Sequence, residues 1–206
     1  QRDSIANKLH DYTGLDVAYI KKANLRINGG EFRKNLLGQK DDTTGRLDTR
    51  FAGPTLDPLS KEAEYDPQDA AISSAYVAAF NDYVRQTLKF GQDKTYKLYA
   101  SFQHWDHSHR APGHWMRHGS LNVMTDLAYA MKLNPGLHVM LNAGYYDLAT
   151  PFFEGVYEMH HLEIPARLDK NIEYAFYNSG HMVYAHEASL KLLHDKVSAF
   201  IKSTHS

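Results

Sequence analysis

Between residues 3 and 13 the apolar side chains Ile5, Leu9 and Tyr12 recur at helical spacing, and Gly14 follows as a C-terminal stop. A short first helix is expected there. Asp16 can cap a second helical segment through Val17, Ile20 and Ala23. The Asn28-Gly29-Gly30 run is expected to break that pattern in a loop, because two adjacent glycines free the backbone to turn. Residues 40–60 are rich in Gly, Pro, Asp and Thr and read as an irregular polar connection. Asp66-Pro67-Gln68-Asp69 then makes a strong helix start, with an N-cap acceptor, proline at the first helical position and an acid in the first turn. Behind it Tyr76, Val77, Phe80, Tyr83, Val84 and Leu88 form a stripe at 3.6-residue spacing that ends near Gly91.

Beyond Ser120 the pattern changes. Residues 121–131 read as a helix stopped by Asn134-Pro135-Gly136. Residues 137–141 form a short apolar run of the kind that fills a sheet covered on both faces. A helical segment follows Thr150-Pro151, residues 171–177 alternate as a second strand, and residues 187–203 carry Leu190, Leu193, Val197, Phe200 and Ile201 on one helical face. The order helix, strand, helix, strand, helix predicts an α/β arrangement with a parallel sheet. Residues 1–100 are accordingly expected to form a helical region, and residues 101–206 the sheet-bearing part.

Composition narrows the partners. The chain has 206 residues, 43% of them hydrophobic, and a formal net charge of -1, so no global field gathers phosphates or anionic lipid. Nucleic acid and membrane are therefore not expected as partners, and a small or peptide-sized substrate is. No apolar run approaches the roughly 20 residues of a membrane-spanning helix. The absence of cysteine removes disulfides, a thiol nucleophile and thiolate zinc ligands.

Ligands of open parallel sheets bind beyond the carboxyl ends of the strands. The first expected strand runs into Asn142-Ala143-Gly144-Tyr145-Tyr146-Asp147, and the second into Tyr177-Asn178-Ser179-Gly180-His181-Met182. In each, a glycine permits a tight exit shortly before a titratable side chain. A carboxylate and an imidazole from neighbouring strand ends make the pair a hydrolase needs: the acid fixes the ring's tautomer, and the other ring nitrogen takes a proton from a nucleophile. Asp147 and His181 are the candidate catalytic residues, both expected at a surface edge. Their chain order, acid before histidine, is that of α/β-hydrolases. No Gly-x-Ser-x-Gly occurs in the chain. The chain opens on Gln1 in a helix-like pattern with no strand before it, so the serine is expected upstream, in an N-terminal segment that would be this piece's partner. The open sheet edge left by such a cut is expected to favour association with that segment or with a second copy.

Other constellations point to blander roles. His104-Trp105-Asp106-His107-Ser108-His109, with His114 and His118, is dense in possible ligands, but Pro112-Gly113 interrupts it and no regular ligand spacing appears. No metal and no cofactor is expected. His160-His161 reads as exposed helix-end surface. Arg46, Asp48 and Arg50 are expected to form ion pairs that pin the 40–60 connection to the core, rather than to bind a substrate carboxylate. Most of the fourteen tyrosines fall on helix stripes, where packing accounts for them.

The two strand-end motifs, Gly144-Tyr145-Tyr146-Asp147 and Gly180-His181-Met182-Val183, resemble those of the serine carboxypeptidases. The likeness extends through the strand at 137–141, Thr150-Pro151-Phe152 and the C-terminal helix. The preceding part, with Asn24-Leu25-Arg26 and Gly45-Arg46-Leu47-Asp48-Thr49-Arg50-Phe51, is similar to the insertion of bacterial members. The resemblance implies the C-terminal part of an α/β-hydrolase fold with an inserted helical cap, export from the cell, and release of C-terminal residues from peptides through an acyl-enzyme. It places Met182, Tyr146 and Thr150 at the substrate pockets. Two positions depart from the family pattern: Tyr184 stands where a proline is usual, and Thr150 where a cysteine often lies. An esterase or acyltransferase on the same scaffold, or a non-catalytic binding module, is the alternative expectation.

Overall fold

The computed structural model describes residues 1–119 and 121–204. The first helix, α1 (Arg2–Thr13), ends on Gly14 in the left-handed conformation, whose amide reaches the His10 carbonyl. Asp16 caps α2 (Val17–Lys22) by accepting from the Tyr19 amide. Both follow the sequence pattern. The expected loop at Asn28-Gly29-Gly30 is instead the start of a third helix, α3 (Gly29–Leu36). The reason is a capping box: Asn28 accepts from the Glu31 amide at 2.9 Å while Glu31 accepts from the Asn28 amide at 3.0 Å. Two satisfied donors outweigh the cost of glycine in the first turn. Ala6, Leu15 and Ile20 form the buried centre of this three-helix unit, with Leu9, Leu25 and Phe32 packed around it.

The 40–60 connection is more regular than its composition suggests. It holds an antiparallel hairpin, β1 (Asp42–Thr44) paired with β2 (Ala52–Pro54). Helix α4 (Pro67–Asp82) starts on Asp66, as its capping sequence predicts, and continues into one π-helical turn over Tyr83–Thr87. Its apolar stripe is a different matter. Tyr76, Phe80, Tyr83 and Leu88 are all exposed, and only Pro67 and Gln68 of the helix are buried. Periodicity makes the helix amphipathic, yet Tyr76 and Tyr83 stay about half exposed and Phe80 meets the Tyr96 ring, 5.0 Å away in an irregular segment, so the expected burial of these tyrosines is not found.

The second half alternates as the pattern predicts, with shifted bounds: α5 (Met124–Leu133), β3 (Val139–Gly144), α6 (Phe152–His160), β4 (Ile172–Tyr177) and α7 (Glu187–Thr204). Strands β3 and β4 pair in parallel, from Val139 opposite Ile172 to Gly144 opposite Tyr177. Helices cover both faces of the pair. On one, Gly155 lets α6 approach Leu141, and a cluster of Met131, Leu168 and Ile172 joins α5 to the sheet. On the other, Ala175, Tyr177 and Val183 pack against Leu193 of α7. Asn171 ties the entry of β4 to the turn before β3 by donating to the carbonyls of Pro135 (2.8 Å) and Leu137 (3.1 Å). The chain is thus a mixed α/β protein whose parallel pair brings two strand ends to one edge.

Two glycines set how closely that edge is packed. A Cβ on Gly144 would fall inside van der Waals contact of the Ser179 and Gly180 carbonyls, and one on Gly180 would strike the Leu47 carbonyl and Asp48. Nothing lies near Gly136, in the turn before β3. Gly144→Ala should therefore destabilise the chain by about 3 kcal/mol, since backbone cannot yield as a side chain can. Gly136→Ala should be neutral or stabilise by a few tenths of a kcal/mol through the unfolded state. Chemical denaturation of the two variants checks the contrast, and equal effects would contradict the packing described.

Candidate functional site

Because β3 and β4 run in parallel register, the turns that leave them start side by side. The pairing continues past the strands: the Tyr145 amide donates to Tyr177 O at 3.0 Å, and the Tyr146 amide to Ser179 O at 3.1 Å. Asp147 closes back on its own strand, its amide donating to Gly144 O at 3.3 Å. Its carboxylate therefore points toward the second turn, where His181 Nδ1 lies 3.0 Å from Asp147 Oδ2. The two candidate residues are brought together as the sequence pattern predicts.

The acid is fully engaged. Oδ1 accepts from the amides of Ala149 (2.7 Å) and Thr150 (3.0 Å), and Oδ2 accepts from the Thr150 hydroxyl (2.8 Å) besides the imidazole. Only 4% of the Asp147 side chain is exposed, against 43% for His181. Asp147 is thus buried, not at the surface edge expected for it, and the histidine alone faces outward. The arrangement also selects a tautomer. Thr150 Oγ1 spends its one proton on Asp147, so toward His181 Nδ1, 3.2 Å away, it can only accept. Both neighbours of Nδ1 are acceptors, which puts the proton on Nδ1 and leaves the lone pair of the neutral ring on Nε2.

A third segment clamps the two turns. Leu148 N donates to Arg46 O at 3.0 Å, Thr49 N to Tyr146 O at 3.0 Å, and His181 N to Leu47 O at 2.6 Å. The clamp is anchored by Asp66, whose Oδ2 accepts from the amides of Arg46 (3.0 Å) and Leu47 (2.8 Å) while its Oδ1 caps α4. It is locked by a two-pronged ion pair: Arg50 Nε and Nη2 donate to Asp48 Oδ1 and Oδ2 at 3.0 and 2.7 Å. Arg50 Nη1 donates to Asn178 O at 3.0 Å, and the guanidinium lies 4.7 Å from the centre of the Tyr146 ring. The hydrogen bonds that Arg50 donates to the buried Asp48 carboxylate hold its guanidinium above its ordinary pKa. Asp48 and Arg50 form the expected ion pair and tie the connection to Asn178, whereas Arg46 contributes its backbone amide and carbonyl and, among the described residues, no ion pair.

Of the three residues expected at substrate pockets, Thr150 holds the acid and Tyr146 supports Arg50. Met182, half-buried, gives its carbonyl to the Ala185 amide at 2.8 Å. Asp66 and the Arg46 and Leu47 carbonyls were not foreseen as parts of the site. The Asp66-Pro67 start was plain, but a carboxylate that caps a helix and also holds a distant loop has no separate mark in the sequence. In the histidine-rich segment, His109 and His118 pair through their backbones and His109 Nε2 meets Asp126 Oδ2 at 2.7 Å. No three His, Cys, Asp or Glu side chains among the described residues are grouped to hold a metal ion. His160 and His161 are exposed at the end of α6, the latter stacked on Tyr157. No described helix is long and apolar enough to cross a membrane.

No family model matches the chain, and neither a curated protein nor a solved structure does. What the site can do therefore rests on its geometry: a buried, saturated carboxylate orients an exposed imidazole whose Nε2 can accept a proton.

That assignment is open to measurement. Long-range proton–nitrogen correlation spectra of neutral His181 should show the proton on Nδ1, and the preference should be lost in Asp147→Ala. A ring protonated on Nε2 in the unsubstituted chain would contradict the hydrogen-bond assignment.

Proposed function

We propose that the chain supplies the acid and the histidine of a Ser-His-Asp triad in an α/β-hydrolase of the serine carboxypeptidase type. The observation that carries this is the 3.0 Å contact between Asp147 Oδ2 and His181 Nδ1 at the carboxyl edge of a parallel strand pair. The chain order of acid and histidine and the Gly144-Tyr145-Tyr146-Asp147 and Gly180-His181-Met182-Val183 motifs support it. No serine hydroxyl among the described residues bonds to His181. Ser179, the nearest in sequence, is buried and donates to Val183 O at 3.3 Å. In this reading the nucleophile comes from polypeptide outside these 206 residues.

The proposed cycle uses each group once in each half. His181 Nε2 takes the proton of the incoming serine as its oxygen bonds to the scissile carbonyl carbon, and Asp147 stabilises the imidazolium. As the C–N bond breaks, Nε2 returns that proton to the leaving amine. Water then repeats the sequence on the acyl-enzyme: Nε2 takes its proton, the hydroxide oxygen bonds to the acyl carbon, and the proton goes to the serine oxygen as it leaves.

In a longer polypeptide that includes the serine, Asp147→Asn and His181→Ala should each lower kcat for peptide hydrolysis by roughly three orders of magnitude or more. Steady-state assays with blocked dipeptides measure this, and near-normal turnover in either variant would end the proposal. A fluorophosphonate should label that longer polypeptide and leave the 206-residue chain unlabelled.

A further inference from the structure

Two side chains among the described residues bond the ring of His181. Asp147 Oδ2 stands 3.0 Å from Nδ1, Thr150 Oγ1 stands 3.2 Å from the same nitrogen, and the two oxygens are 2.8 Å apart. The three atoms close a triangle that holds two protons: the hydroxyl proton lies toward Asp147, and the Nδ1 proton falls between two acceptors. Thr150 is fixed in that place by its own main chain, whose amide donates to Asp147 Oδ1 at 3.0 Å before Pro151 leads into α6. The hold matters because the ring is exposed. With 43% of its side chain open to solvent, His181 has little packing to stop it swinging about a single hydrogen bond. A second acceptor on the same N–H limits that swing.

We propose that Thr150 is a positioning residue of the catalytic pair, a role that rests on the hydrolase reading. Its hydroxyl braces the imidazole through Nδ1, so that Nε2 keeps facing the serine and the leaving group while the ring gains and loses a proton. The brace suits both states of the ring, because Nδ1 carries a proton in the neutral tautomer and in the imidazolium alike and needs an acceptor in each. Thr150 itself transfers no proton. Its one hydroxyl hydrogen stays on the acid, where it joins the Ala149 and Thr150 amides in holding the Asp147 rotamer. A side chain of the same shape without the hydroxyl would leave Asp147 its two amides but give the ring only one acceptor.

Thr150→Val keeps the shape and loses the hydroxyl, and Thr150→Ser keeps the hydroxyl without the full shape. In the 206-residue chain, exchange of the His181 Nδ1 proton with water, followed by proton–nitrogen spectroscopy, should be about tenfold faster in Thr150→Val, as for the loss of one modest hydrogen bond, and within about threefold of the unsubstituted rate in Thr150→Ser. In a longer polypeptide that includes the serine, kcat for a blocked dipeptide should fall about tenfold in Thr150→Val with KM unchanged, and Thr150→Ser should restore most of it. If the valine variant fails to fold, Thr150→Cys, whose thiol is a weak donor and a weak acceptor, should show the same losses in smaller degree. Equal losses in the valine and serine variants, or none in the valine variant, would overturn the proposal. An unsubstituted longer polypeptide that cleaves no peptide would end the hydrolase reading and the catalytic role of Thr150 with it, while unchanged exchange in Thr150→Val would show that the hydroxyl does not brace the ring at all.

Discussion

Everything at this site depends on three stretches of backbone meeting with no side chain between them. The turn after β3, the turn after β4 and the strap at residues 46–50 approach so closely that only glycine fits at 144 and 180. The peptide groups that would otherwise be stranded there pair with one another, Tyr146 N with Ser179 O, Thr49 N with Tyr146 O and His181 N with Leu47 O. This removes the slack from two turns that would separately be free to move. A carboxylate and an imidazole held at 3.0 Å by ordinary loops would fluctuate apart, whereas here each is attached to a main chain bonded on both sides.

The strap also explains why a polar, glycine-rich stretch belongs to a site formed by distant strands. Its hairpin packs on α3, where Arg33 Nε donates to the Thr44 carbonyl at 3.0 Å, and Asp66 holds its near end from the start of α4. Burial lowers the pKa of Arg33, yet the backbone carbonyls around it, including that of Tyr65, keep the charge hydrogen-bonded. The three-helix unit and α4 therefore reach the Asp147–His181 pair through one short segment. Asp48, 1% exposed, is the buried charge at its centre, and Arg50 makes that burial tolerable by meeting both oxygens.

The legible parts of the chain were those whose cause is local. Helix starts at Asp16 and Asp66, the stop at Gly14 and the alternation of β3, α6, β4 and α7 follow from capping chemistry and periodicity, which need only near neighbours in sequence. The Asp147–His181 pairing could be anticipated because parallel strands must end at one edge. Three features fall outside those signals, each for its own reason. The glycine pair at 29 and 30 reads as a break by composition, and the reciprocal bond between Asn28 and Glu31 overrides it even though it too is local. The hairpin at β1 and β2 has strands too short to show alternation. The stripe on α4 announced an amphipathic helix, but a hydrophobic pattern records which face is apolar and not what, if anything, covers it.

A second histidine–carboxylate pair shows why contact alone does not make the first one special. His109 and Asp126 stand 2.7 Å apart, closer than His181 and Asp147. Yet the Asp126 side chain is 40% exposed, and its other polar neighbour is the adjacent Thr125 hydroxyl at 3.4 Å. Water competes for that carboxylate, and no backbone amide fixes its rotamer, so the pair is a solvent-accessible contact of small net worth. Asp147 differs in every respect that matters to proton transfer: two amides and a hydroxyl saturate it, solvent is excluded from it, and the ring it holds is the exposed partner. What separates a structural contact from a site able to hold a reactive tautomer is the number of fixed donors behind the acid, and that number is set by the turn after β3.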